Sequence, residues 1–119
     1  MTPQGTDKRQ TPRIHPFVVP CQLVLRARRR GAYLTDLSSR GARVTLDDEP
    51  PDVGASLTLE LRIGRQVART RLRAVVKWVR AGERGAHQFG LTFKGLKAQE
   101  RRALEAVVEE FHRRAAQIA

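Results

Sequence analysis

The chain has 119 residues, of which 23 are Lys or Arg and 12 are Asp or Glu, giving a formal net charge of +11 at pH 7. This length suits one small core but not two. No apolar run approaches the roughly 20 residues of a membrane span, and the single Cys21 excludes an internal disulfide, which fits a reducing cytoplasm. The composition therefore predicts one soluble cytoplasmic domain that attracts polyanions.

Residues 1–16 are predicted to form a flexible N-terminal arm, because the segment is polar, contains prolines and has no apolar core of its own. The arm carries an R-x-x-x-R motif at Arg9 and Arg13. An arginine offers a rigid fork of donors that can bind two phosphate oxygens, or the O6 and N7 acceptors of guanine. By itself the spacing is weak evidence, since a solvated basic tail in an arginine-rich chain would look the same.

Residues 17–95 show the apolar and polar alternation that is typical of β-strands. Turns are predicted at residues 28–31, at the Asp- and Pro-rich segment 47–52, at 64–65 and at 81–85. On the fifth strand the alternation places Trp78 on the inward face, so core packing is favoured over stacking on a ligand. Six short antiparallel strands favour a closed barrel, because closure removes the exposed edges of an open sheet.

The second predicted strand ends at residues 36–41, which read D-x-S-x-x-G. Asp36 only accepts hydrogen bonds, so it can pair with the N1–H and N2–H donors of guanine. The Ser38 hydroxyl can donate to a phosphate oxygen, and Gly41 allows a positive φ or the close approach of a ligand. Asp, Ser and Gly also make ordinary turns, so a tight connection between strands is the alternative interpretation.

Residues 96–119 change to a helical period and predict an amphipathic helix that packs on the barrel or on a partner. The apolar positions with this spacing are Leu96, Ala103, Leu104, Val107, Val108, Phe111, Ala115 and Ile118. Lys97 lies near the start of the helix, where Ser, Thr or Asp would cap better, so the sequence does not fix the first helical residue.

The sequence favours binding over catalysis. His15, His87 and His112 lack the carboxylate or cysteine neighbours of a catalytic or zinc arrangement, and no P-loop, G-x-S-x-G or paired-carboxylate spacing occurs. No metal and no cofactor are therefore expected. Residues 1–43 hold nine of the basic residues and two of the acidic ones, so positive charge is concentrated on the stretch that contains both motifs.

The order and spacing of these motifs, together with Gln-Phe-Gly-Leu-Thr-Phe at residues 88–93, resemble the PilZ domain family of bacterial cyclic di-GMP receptors. The resemblance runs from about Lys8 to the end of the chain and implies an all-β, six-stranded antiparallel PilZ-like barrel with a C-terminal α-helix. The implied ligand-binding residues are Arg9, Arg13, Asp36, Ser38 and Gly41, and charge adds Lys8 and Arg40 as further candidates.

In the expected mechanism, cyclic di-GMP draws the arm across the barrel, and an unidentified downstream protein recognises the changed surface. Two stacked ligand molecules per chain are expected, because Lys8 adds positive charge beside a pair that carries four negative charges. Two alternatives remain open. One is a nucleic-acid-binding module on a small basic barrel, which an aromatic content of 5% supports poorly. The other is an adaptor that works through protein contacts alone.

Overall fold

The computed structural model describes residues 17–64 and 69–118. The predicted arm at residues 1–16, with its candidates Lys8, Arg9 and Arg13, lies outside this part of the chain, as does residue 65 of the predicted turn at 64–65. The described elements are β1 (Val19–Leu25), β2 (Arg28–Leu37), β3 (Gly41–Leu46), β4 (Ser56–Leu61), β5 (Thr70–Ala81), a 3₁₀ turn (Glu83–Gly85), β6 (His87–Phe93) and α1 (Ala98–Ile118).

The six described strands form a closed antiparallel barrel in the order β1-β2-β3-β6-β5-β4, with β1 and β4 pairing to complete the ring. Alternate side chains point inward and fill it, as the period of two predicts. Phe89, Leu34, Leu59 and Leu72 are among the largest fully buried side chains. The predicted six-stranded antiparallel barrel with a C-terminal helix is therefore confirmed.

Helix α1 packs against the barrel through Leu104, Val107 and Phe111, which are buried at helical spacing. It begins at Ala98, two residues after the segment boundary expected at residue 96. The N–H of Lys97 donates to the carboxylate of Glu100 at 2.7 Å, so one of the unpaired amides at the helix start is satisfied without a Ser, Thr or Asp cap.

The turn between β1 and β2 lies earlier than the sequence predicts. Leu25 pairs directly with Arg28, and the two connecting residues, Arg26 and Ala27, have positive φ angles of 52° and 64°. Residues 28–31, expected as a turn, belong instead to β2. The prediction was wrong because consecutive arginines suggest a solvated loop, although long charged side chains are equally compatible with the outward face of a strand.

Two β-bulges interrupt the alternation, one between Leu34 and Asp36 on β2 and one between Val76 and Trp78 on β5. A bulge adds one residue to one strand and so reverses the inward and outward phase beyond it. After the extra residue Lys77, the Trp78 side chain is 37% exposed. The predicted inward orientation of Trp78 is therefore wrong, because the phase extrapolated from the preceding residues does not persist across the bulge.

Candidate functional site

The connection from β2 to β3 is a tight turn held by Ser38. Its N–H donates to the Gly41 carbonyl at 2.9 Å, and its hydroxyl oxygen accepts from the N–H groups of Arg40 and Gly41 at 3.2 and 3.3 Å. The hydroxyl in turn donates a long bond, 3.4 Å, to the Gly41 carbonyl. The interpretation of this segment as a tight strand connection is correct, and the same turn presents Ser38 to solvent.

Gly41 is required in this turn by close packing between strands. It pairs with Thr92 of β6, and a Cβ at Gly41 would overlap the carbonyl oxygen of Leu91. Its φ angle is not among the positive ones. Of the reasons expected for this glycine, a positive φ is therefore excluded, and the close neighbour in the structure is the backbone of the adjacent strand.

Asp36 is turned outward by the bulge on β2. Thr35 lies between Leu34 and Asp36, and its hydroxyl donates to the Arg43 carbonyl at 3.2 Å, which stabilises the bulge. The Asp36 Oδ1 accepts from the Leu37 N–H at 3.0 Å, which orients the carboxylate at the rim of the turn. Asp36 and Arg43 face each other across β2 and β3.

Three of the residues predicted from sequence come together in one place. Asp36, Ser38 and Gly41 line a depression of about 180 Å³ on the outer face of the barrel. Its opposite wall comes from Lys77 and Trp78 of β5. The depression therefore joins the turn between β2 and β3 to the bulge on β5.

Trp78 lines the depression, although the sequence assigns it to the core. Its indole lies over Gly90 of β6, so that a Cβ at Gly90 would overlap the indole nitrogen. The Arg80 guanidinium lies 5.1 Å from the indole ring centroid and donates to the Gln88 side chain at 3.0 and 3.2 Å. Gly90 itself was the available signal, because a glycine inside a strand often marks the close approach of another group.

The charge around the depression is predominantly positive. Arg43 and Lys77 line it, Arg80 contacts its tryptophan, and Asp36 is the one carboxylate among its described lining residues. Arg40, a further candidate from sequence, is exposed at the turn but does not line the depression, and its carbonyl accepts from the Phe93 N–H at 2.9 Å. Such a field raises the local concentration of anions.

Other kinds of site find little support in the described residues. In residues 17–64 and 69–118, no group of three or more His, Cys, Asp or Glu side chains could hold a metal ion. No helix within the same ranges is long and apolar enough to cross a membrane. Cys21 is a buried core side chain, and burial raises the pKa of its thiol to about 12, which disfavours the thiolate form.

The structure is therefore a small six-stranded β-barrel with a C-terminal helix and a predominantly cationic depression at one strand turn. The model of the PilZ domain family matches residues 7–110. The chain belongs to this family, and the resemblance seen in its two motifs is confirmed.

Several solved structures share this fold. The PilZ domain of YcgR from Escherichia coli with c-di-GMP is similar with a TM-score of 0.70 and 19% identity, over 87% of this chain and 88% of that one. The inhibitor of motility MotI/DgrA from Bacillus subtilis has a TM-score of 0.66 and 20% identity, over 87% of this chain and 49% of that one. K. pneumonia MrkH in its apo state has a TM-score of 0.65 and 16% identity, over 96% of this chain and 56% of that one.

These identities establish the fold alone. The chain spans most of the YcgR domain but only about half of the MotI and MrkH chains. No curated protein matches this sequence at a significant level.

Proposed function

We propose that this chain is a cyclic di-GMP receptor, and that its binding site is the depression at the turn between β2 and β3, completed by Arg9 and Arg13 of the arm. The observation that carries the proposal is the convergence of Asp36, Ser38 and Gly41 at one exposed, cationic depression. Membership of the PilZ family and the cyclic di-GMP in the similar YcgR domain support the choice of ligand.

Each group at the turn has a chemical role in this proposal. The Asp36 carboxylate is oriented by the Leu37 N–H and can accept from the N1–H and N2–H donors of guanine. As a donor, the Ser38 hydroxyl makes a long bond, 3.4 Å, to the Gly41 carbonyl. A phosphate oxygen is a stronger, charged acceptor, so the hydroxyl would exchange that bond for a shorter one to the ligand.

The small size of the depression supports a role for the arm in covering the ligand. Its volume of about 180 Å³ is below the roughly 300–1,000 Å³ of typical small-molecule pockets, so a cyclic dinucleotide would remain largely uncovered there. The described part of the chain begins beside the site, because β1 starts at Val19, which pairs with Leu34 just before the bulge. Arg13 lies four positions before Phe17, so its Cα is at most about 14 Å from the Cα of Phe17, which supports the proposal that the arm can reach the depression.

Covering the ligand with the arm would change the surface of the domain, and this change could act as a signal. The arm's arginines would bind phosphates and guanine edges, while Asp36 and Ser38 meet the ligand from the barrel. Because the ordered arm would present a new surface, a downstream protein that recognises this surface would respond to cyclic di-GMP. This output is binding to another protein, and the proposal includes no catalytic step.

Titration of the purified protein with cyclic di-GMP tests the proposal. Trp78 is the only tryptophan of the chain and lines the site, so its fluorescence and calorimetry give two independent readouts. Arg9→Ala or Arg13→Ala should lower the affinity more than tenfold, because a hydrogen bond to a charged group contributes roughly 1.5–3 kcal/mol. Thermal stability should change little, since the arm has no predicted role in the core.

A matched control separates the site from the overall charge. Arg102→Ala removes the same charge from an exposed position on α1 and should bind like the parent. Parent-like affinity in both arm variants, or no saturable binding by the parent protein, contradicts the proposal. GTP serves as the control ligand.

A further inference from the structure

Helix α1 makes a direct hydrogen bond to the backbone of the binding motif. The Nε2 of His112 lies 2.8 Å from the carbonyl oxygen of Leu37, which is 75 residues away in the chain. Leu37 stands between Asp36 and Ser38, the two polar residues that define the D-x-S-x-x-G motif. A carbonyl oxygen only accepts, so the Nε2 of His112 carries the proton and donates.

This bond fixes the peptide group that leads into Ser38. The Leu37 carbonyl and the Ser38 N–H belong to one planar peptide unit. Its carbonyl accepts from His112, and its N–H donates to the Gly41 carbonyl at 2.9 Å. Because the helix holds one end of the unit and the turn holds the other, the unit cannot rotate freely, and the helix contributes to the direction in which the chain leaves β2 at Ser38.

The same turn of α1 also contacts Phe17, the residue that follows the arm. The rings of Phe17 and Phe111 pack edge to face with centroids 5.0 Å apart, and the Phe111 and His112 rings are 5.5 Å apart. Phe17 is the first described residue after the arm and Phe111 is buried in the core. Two consecutive helix residues therefore contact Leu37 of the binding motif and Phe17, the residue that follows the arm.

We infer that His112 is a positioning residue of the binding motif. Through His112, the position of α1 on the barrel is coupled to ligand occupancy. The inference rests on the proposed function. Coupling between two sites is reciprocal in free energy. A downstream protein that stabilises α1 in its observed position will therefore raise the affinity for cyclic di-GMP, and the ligand will raise the affinity for that protein by the same factor.

Three substitutions in α1 test the role of His112. His112→Leu keeps bulk but removes the donor, and His112→Gln places an amide N–H where the Nε2–H stands. Val108→Ala is the matched control, because it trims a half-buried apolar side chain of the same helix without removing a hydrogen bond. Affinity for cyclic di-GMP is measured by Trp78 fluorescence, and hydrogen exchange is followed at the Ser38 and Gly41 amides in the free protein.

We expect His112→Leu to lower the affinity about fivefold, as the loss of one neutral hydrogen bond does, and to accelerate exchange at both amides. His112→Gln should restore most of the affinity. Val108→Ala should lower the melting temperature while affinity and exchange at the turn stay close to those of the parent.

Parent-like affinity and unchanged exchange in His112→Leu overturn the inference. Equal losses in His112→Leu and Val108→Ala also overturn it, because the effect would then come from helix stability alone. If the parent itself does not bind cyclic di-GMP, the proposed function fails, and the exchange comparison in the free protein still decides whether His112 holds the turn.

Discussion

The two glycines in the depression are constrained by neighbours that differ in stiffness. At Gly41 the space for a Cβ is filled by the carbonyl of Leu91, which belongs to the paired strand β6. At Gly90 it is filled by the indole of Trp78, a partly exposed side chain that can rotate away. A substitution at Gly41 must therefore move backbone, whereas one at Gly90 has to move only a side chain.

Gly41→Ala should therefore destabilise the fold even without ligand. We expect the free energy of unfolding to fall by roughly 1–3 kcal/mol, as for other overpacked positions, because β3 and β6 must separate locally. Urea denaturation measures the change. Gly31→Ala on β2 is the control, since its nearest neighbour is the Gln22 side chain at 3.9 Å. Equal stability of the two variants would contradict this account of Gly41.

At the scale of single residues, the sequence predicted the motif better than its surroundings. Asp36, Ser38 and Gly41 were expected to act together, and the structure brings them into one depression. Trp78 was assigned to the core because a period of two carries no information about an inserted residue, and one extra residue reverses the face. Residue types were enough to predict the chemistry of the turn. They did not predict the bulge that places Trp78 at the depression.

At the scale of whole elements, alternation succeeded wherever a strand is regular. Leu57, Leu59 and Leu61 of β4 are buried as expected, and so are Phe89 and Leu91 of β6. The predictions failed where the backbone departs from regular strand geometry and the sequence lacks the residue types that usually accompany such a departure. The hairpin at Arg26 and Ala27 has two positive φ angles, which Asn and Gly normally supply, so its composition gave no sign of a turn.

An ion-pair cluster on the outer face of the barrel also escaped prediction. Glu60 of β4 points outward, yet its side chain is only 6% exposed, because Arg29 of β2 and Arg71 of β5 cover it. The Nε of Arg71 lies 2.9 Å from its carboxylate. The hydrogen bond from Arg29 is the main cause of a lowered pKa of Glu60, with Coulomb attraction to both arginines adding to it and desolvation opposing it.

This cluster should make stability depend on pH in a defined direction. Because the pKa of Glu60 is lower in the folded protein than in the unfolded chain, its contribution is full above the unfolded value of about 4.3 and is lost as the pH falls through the folded value. The melting temperature of Glu60→Gln should therefore lie below that of the parent at pH 7, and the gap should close as the pH falls below about 4.3.

Glu105→Gln, at an exposed position of α1, is the control for this prediction and should follow the parent throughout. Thermal unfolding monitored by circular dichroism from neutral to acid pH measures all three proteins. A difference in melting temperature between Glu60→Gln and the parent that stays constant over this range would contradict the prediction. Glu60 would then contribute to stability through packing and not through its charge.

At the scale of the whole molecule, the net charge of +11 attracts anions of every kind. Positive side chains lie on more than one face of the barrel. Arg43 and Lys77 line the depression, whereas Arg29 and Arg69 line a separate groove beside Glu60. Attraction alone therefore does not identify the ligand, and a nucleic acid would also be drawn to this surface.

Salt distinguishes the two ligand classes, because only a polymer carries a condensed counterion atmosphere. A protein that contacts 6–10 phosphates of duplex DNA loses about 10³–10⁵ in affinity between roughly 50 and 200 mM salt. Cyclic di-GMP has two phosphates, so its affinity should fall far less over the same range. Calorimetry at both salt concentrations, with duplex DNA and cyclic di-GMP titrated separately, measures the two slopes. Tight DNA binding that persists at the higher salt and is insensitive to Arg9→Ala and Arg13→Ala would favour a nucleic-acid-binding module over the receptor.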